Sequence, residues 1–319
     1  MHKKVDQRIE ELKDNLIEST QEIIRIKSVR DKAVEEMPFG IGINDALERF
    51  IQIATAMGLK TRNLDGYAGY VEIGEGEELL GVLCHLDVVP EGSNWTYPPY
   101  NAEIVDGKIY GRGSIDNKGP ALASLYALKA LQDSEIKLNK RVRLILGTDE
   151  ESDWQGIKYY LENEEIPDIA FTPDADFPVI HGEKGILHFK LAKEFKGNKE
   201  NSNNPEENSK SKVKKKQIKF IEIKGGNAPN MVPDFCQALL ESNSQEYIAD
   251  EVYQYNDNNK SANLDINYQD EKIVIASHGV SAHGSLPEDG INAISHLLIF
   301  LGEIEFSEDI NDFLKFYQQ

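Results

Sequence analysis

Apolar positions near the start of the chain recur at helical spacing. Over about Val5 to Lys27, Ile9, Leu12, Leu16, Ile23 and Ile24 fall on one face, which predicts an amphipathic helix. A second helix is predicted over Asp45–Met57, closed by Gly58, a residue suited to a left-handed helix stop. The pattern then changes to short apolar runs. Tyr70–Ile73, Leu79–Leu86, Ile104–Tyr110 and Val142–Gly147 read as strands bounded by Gly, Asp and Pro. Gly119–Leu131, with Leu122, Leu125, Leu128 and Leu131 every third residue, reads as a helix, as does Trp154–Asn163. The run DIAF before Thr172 is short and apolar, in the manner of a buried strand. Strands alternating with helices to about residue 185 predict an α/β layer structure, its mostly parallel sheet flanked by helices.

A polar stretch, KGNKENSNNPEENSKSKVKKK (196–216), interrupts this pattern. It lacks large apolar side chains except Val213 and cannot bury enough surface to order itself, so a flexible surface insertion is expected. Beyond it, IKFIEIKGG and DEKIVIASHGV read as strands and Gly290–Leu301 as a helix, together an α+β unit. The expected organisation is one domain over 1–185 and a second over 186–319. Charge narrows the function classes. Of 319 residues, 35 are Lys or Arg and 55 Asp or Glu, for a net charge of −20. That balance argues against nucleic acid and against anionic lipid, since both would repel it. No run approaches the roughly 18 apolar residues of a spanning helix, and MHKKVDQRIEELKDN has no signal-like apolar core. Cys84 and Cys236 are too few for a disulfide framework and suit a reducing interior. A soluble, cytoplasmic protein is expected.

Four segments could carry chemistry. In LLGVLCHLDVVPEG an apolar run leads into His85, with Asp87 two residues on, and a carboxylate so placed can accept the second N–H of a metal-bound imidazole. In YGRGSIDNKGP, Asp116 lies in a Gly-rich turn between strand and helix, where α/β sheets bind ligands. In RLILGTDEES, Glu150 and Glu151 follow an apolar strand and, pointing to opposite sides, suit a split between general base and ligand. In DIAFTPDADFP, Asp174 follows a short apolar run, with Asp176 as a competitor. Each alone has a plainer reading: a strand-end histidine, a helix cap or a solvated acidic turn. All four, however, lie at apparent strand ends of one α/β unit. Histidine and carboxylates without cysteine favour zinc, manganese or cobalt over a thiolate site.

In combination, HLDVVPEG, YGRGSIDNKGP, GTDEESDWQG and TPDADFP resemble the motifs of the PepV-type dipeptidases, within the metallopeptidase family that includes carnosinases, aminoacylases and ArgE/DapE-type deacylases. GGNAPNMVPD and GVSAHGSLPEDGINA are similar to that family's lid segments. The resemblance implies a zinc-exopeptidase-like catalytic domain carrying an inserted α+β lid, and a small peptide as substrate. It implies two divalent metal ions, zinc first, with His85 and Asp174 on one, Glu151 on the other and Asp116 bridging. Glu150 would be the general base that activates a metal-bridging water, and Asp87 the carboxylate behind His85. His283 would polarise the substrate carbonyl and Asn230 contact the substrate. The peptide bond Asp116–Asn117 would be cis. His2, His181, His188, His278 and His296 carry no such match, and His188, in ILHFKL, reads as structural.

The resemblance leaves a gap. No residue here matches the metal-binding histidine that the family carries near its C-terminus, after the lid, nor the later lid residues that include a substrate-binding arginine, so the lid is expected to be incomplete, the C-terminal segment of the catalytic domain missing and the chain truncated. The expectation is therefore di-metal-dependent hydrolysis of dipeptides with a free N-terminus by a monomer. Deacylation of N-acyl amino acids is the alternative within the family, and an inactive fragment the alternative outside it.

Overall fold

The computed structural model describes residues 2–92, 95–176, 178–182, 184, 185, 187, 190, 192, 193, 218–269 and 272–318. The expected insertion at 196–216 and His188 lie outside them. The chain forms two compact units, one comprising Met1–Glu91 and Trp95–Glu183, the other Gly92–Asn94 and Lys184–Gln319.

The first unit opens with helices α1 (His2–Ile24) and α2 (Ile41–Ala56). Strands β1 (Lys60–Leu64), β2 (Ala68–Ile73) and β3 (Leu79–His85) follow, then a hairpin of β4 (Glu103–Val105) and β5 (Lys108–Tyr110). Helix α3 (Lys118–Asp133), strand β6 (Arg141–Gly147), helix α4 (Gln155–Asn163) and strand β7 (Ile169–Phe171) complete it. The five-stranded sheet has the order β1-β2-β6-β3-β7. Leu12 and Ile23 of α1, Leu47 and Phe50 of α2, and Leu122 and Leu125 of α3 pack with Val71, Val82, Leu144 and Leu146 of the sheet. Tyr160 of α4 joins Leu64, Tyr70 and Ile145 in a separate cluster.

The α/β class holds, but three details differ from expectation. The sheet is mixed: β3 runs parallel to β6 and β7, whereas β2 is antiparallel to both β1 and β6. Strand β1 is a polar edge strand, KTRNL, without the apolar run that would betray it, and a tight Asp65–Gly66 turn returns the chain antiparallel. The expected single strand Ile104–Tyr110 is two strands. Asp106 and Gly107, both at positive φ (49° and 75°), form the hairpin turn that an Asp-Gly pair between β runs favours. Finally, β7 is not buried: it ends the sheet order, and Ile169 and Phe171 are 68% and 54% exposed.

The second unit is a four-stranded antiparallel sheet in the order β10-β11-β9-β8, built from β8 (Ile218–Gly225), β9 (Phe235–Ser242), β10 (Leu264–Gln269) and β11 (Lys272–His278). Helices α5 (Gln245–Asn258), α6 (Ala293–Leu301) and α7 (Glu308–Tyr317) belong to it. Ile248 and Val252 of α5, Leu297 and Phe300 of α6 and Leu314 of α7 pack with Leu240, Ile273 and Ile275.

Candidate metal centre

Register decides what meets at the end of the first sheet. His85, the last residue of β3, pairs with Gly147, the last of β6, and β7 runs parallel on the other side of β3. The segments that leave these strands, Leu86–Asp87, Thr148–Glu151 and Thr172–Asp174, therefore emerge together at the carboxyl edge, the usual ligand edge of an α/β sheet.

The His85 ring is buried, 2% exposed. Its Nδ1 lies 2.9 Å from the main-chain oxygen of Asp87. A carbonyl only accepts, so Nδ1–H is the donor and the Nε2 lone pair faces the other way. There Nε2 meets Asp116 Oδ1 at 2.9 Å, Asp174 Oδ2 at 3.4 Å and Glu150 Oε2 at 3.8 Å. Nε2 is sealed from solvent and makes no hydrogen bond. A cation would satisfy a lone pair set against carboxylates, and His85, Asp116 and Asp174 each offer an atom within 4.8 Å of the others. The donor set, one imidazole and carboxylates, fits zinc or another borderline divalent ion.

Electrostatics agree. Burial pushes the Glu150 carboxyl up to about 7; His85 opposes the rise, and Asp87, Asp174 and Asp116 add to it. Burial, then Asp116, push Glu151 up to about 8. Burial alone would lower the basicity of His85, but contacts with Asp116, Asp174 and Asp87 outweigh it and raise it. A group of acids this crowded is short of positive charge, and a bound divalent ion would supply it.

The expected residues thus fall into two sets. His85, Asp87, Asp116, Glu150, Glu151 and Asp174 come together in the first unit. Asp176, the competitor of Asp174, is exposed and outside the group. The bond Asp116–Asn117 is cis. His283 and Asn230 belong to the second unit, where an isolated bridge between Met231 and His283 brings them side by side. Gly284 N–H donates to Asn230 O, and a Cβ on Gly284 would lie 2.9 Å from that oxygen, so the close approach requires glycine.

Two geometric expectations change. Asp87 stands behind His85 through its main-chain oxygen; its carboxylate Oδ1 is 3.5 Å from Nδ1. That carboxylate, also buried, instead accepts the main-chain N–H groups of Glu150 (3.1 Å) and Glu151 (3.0 Å). Glu150 and Glu151 lie in a turn beyond β6, so this capture, rather than strand alternation, orients them.

Three positioning groups escaped the sequence reading. Asn117, fully buried, accepts from His85 N–H (3.3 Å) and donates to Asp174 Oδ1 (2.7 Å), tying two strand ends to the start of α3. Asp149, 1% exposed, accepts from Gln155 and Gly156 N–H, both at 2.8 Å, and so anchors the start of α4. Arg30 holds the turn from outside through Ser152 Oγ (2.6 Å) and Asp153 (2.9 Å). Only Asp149, an acid preceding a helix, carried a sequence cue, and the adjacent glutamates masked it.

Residues 81–289 match the model of peptidase family M20/M25/M40. A Bacillus subtilis (strain 168) protein named "Putative dipeptidase YtjP" is 40% identical over 93% of this chain and 61% of its own length. A Staphylococcus haemolyticus (strain JCSC1435) protein named "Putative dipeptidase SH1171" is 36% identical over 97% of this chain and 64% of its own. The chain thus spans under two thirds of the curated relatives it matches. Among solved structures, human carnosine dipeptidase 1 aligns with 50% of this chain and 37% of its own at 26% identity and a TM-score of 0.45.

Proposed function

Since the chain belongs to peptidase family M20/M25/M40, we propose that it carries the catalytic residues of a di-metal dipeptidase acting on peptides with a free N-terminus. The observation that supports this most is the buried Nε2 of His85 set against the carboxylates of Asp116, Asp174 and Glu150. The names of the two relatives point the same way.

His85 and Asp174 would hold one ion, Glu151 the other and Asp116 both, with zinc first and manganese or cobalt as substitutes. When bound, the ions supply Lewis acidity toward the scissile carbonyl and lower the pKa of the attacking water. Glu150 takes the proton of that water and delivers it to the leaving amine, a task suited to a carboxyl whose pKa burial has brought toward neutrality. Asp87 fixes the main chain of both glutamates, and Asn117 fixes Asp174 against His85. His283 is assigned the donation to the carbonyl oxygen as charge develops there, and Asn230 a substrate contact. Two free, buried cysteines suit the cytoplasm as the place of action.

Hydrolysis of an unblocked dipeptide, set beside its N-acetylated counterpart, tests the reading. Cleavage of the free form alone supports it, and preferential cleavage of the acetylated form turns it into a deacylase. Replacing Glu150 by Gln lowers turnover by about 10²–10⁴-fold with metal content unchanged. Normal turnover in that variant would sink the assignment of the base.

A further inference from the structure

His283 is held by its own turn in a way that selects one form of the ring. Ser285 N–H donates to Nδ1 at 3.3 Å, and Ser285 Oγ lies 2.6 Å from the same nitrogen. A main-chain N–H can only donate, so Nδ1 presents a lone pair, and the Ser285 hydroxyl, facing that lone pair, donates too. In a neutral imidazole the proton then resides on Nε2. The turn itself is fastened on three sides. Leu286 N–H donates to His283 O at 2.9 Å, Val232 N–H to Ala282 O at 2.8 Å, and Lys184 Nζ to Ser285 O.

We infer that Ser285 is a positioning residue: it fixes His283 as the Nε2–H tautomer, so that the ring offers a hydrogen-bond donor, not an acceptor, to whatever it meets. This rests on the reading of His283 as the donor to a substrate carbonyl, and it explains how a residue in an exposed loop is kept ready for that task. A carbonyl oxygen that gains negative charge requires a donor, and a ring with its lone pair at Nε2 would repel it. A hydroxyl two residues along reaches Nδ1 without help from another element, so the selection survives movement of the loop as a whole.

Ring nitrogen NMR on the full chain, labelled with ¹⁵N-histidine, tests this without relying on activity. The His283 signals are assigned from their disappearance in His283→Gln. The wild type is expected to show a protonated Nε2 and a bare, hydrogen-bonded Nδ1. In Ser285→Ala the Nδ1 signal moves toward that of a nitrogen without a hydroxyl partner, and Ser285→Thr restores it. A protonated Nδ1 in the wild type, or a His283 spectrum unchanged in Ser285→Ala, overturns the inference. If the alanine variant fails to fold, the wild-type and threonine spectra still decide.

Turnover separates this inference from the reading beneath it. With Ser285→Ala, kcat falls by up to about tenfold with KM little moved, a fraction of the roughly 10²–10³-fold cost of losing such a donor outright. Should His283→Gln hydrolyse dipeptides normally, the role of His283 falls while the tautomer assignment stands. Should His283 prove essential yet show Nδ1–H, only the role of Ser285 falls.

Discussion

Two main-chain N–H groups converge on the Asp87 carboxylate, and both belong to the residues assigned the most demanding chemistry. Hydrogen bonds to a buried charge are worth more than ordinary ones, and their loss strands two donors. Asp87→Ala is expected to lower stability by about 2–4 kcal/mol, read as a fall in urea midpoint. Turnover falls in the same variant, because the turn bearing Glu150 and Glu151 loses its anchor. Asp87→Asn keeps one acceptor and loses less of both. A stability loss confined to the alanine variant's own Tm, with turnover untouched, would show that the carboxylate serves the fold alone.

Between strands, Glu72 on β2 and Arg143 on β6 form a buried pair directly opposite in register. Arg143 donates from Nε (2.8 Å) and Nη2 (2.6 Å) to Glu72 Oε2 and from Nη1 to Tyr160 OH (2.9 Å), while its guanidinium lies 4.1 Å from the Tyr70 ring centre. Arg143→Met leaves Glu72 buried with Lys60 at 2.8 Å and the more distant Arg141 at 3.9 Å as partners, and a loss of about 3–5 kcal/mol is expected in urea unfolding. Burial alone would raise the Glu72 pKa, but Lys60 and Arg143 outweigh it and hold it below the ordinary value. Its contribution is therefore complete above the unfolded carboxylate value of about 4.3 and is lost as pH falls through the lower folded value. Glu72→Gln should flatten part of the acid limb of a stability–pH curve and leave the neutral limb level. Helices and apolar strands such as α2, α3, β3 and β6 were legible because burial imposes a period on their residues. Polar β1 imposes none, and its hairpin was readable only from Asp65–Gly66, as the β4–β5 hairpin was from Asp106–Gly107. At the site, the chemistry-bearing side chains announced themselves by type and strand-end position. Asn117 and Arg30 did not, since an amide or a guanidinium acquires its role from partners far away in sequence.

At the scale of the molecule, two units with separate cores predict two responses to metal. An ion that binds only the folded first unit stabilises it by about 2.7 kcal/mol at a hundredfold excess over its dissociation constant. Calorimetry with added zinc or manganese should raise one transition and leave the transition of the second unit in place, and His85→Ala should abolish the shift. A parallel rise of both would contradict this. One more property follows from the exposed strand β7 at the end of the first sheet, whose Ile169 and Phe171 stand in solvent. Among the described residues no strand pairs with the outer side of β7, and a backbone edge left so, with apolar side chains, is a template on which another chain can add a strand. Between two copies that tendency is opposed by the repulsion of molecules bearing −20 each, a barrier that dissolved ions screen within about 10 Å at 0.1 M. Colloidal behaviour should therefore run opposite to that of a protein held together by surface ion pairs. Light scattering should stay low in dilute buffer and climb with added salt, and Ile169→Lys should remove the climb.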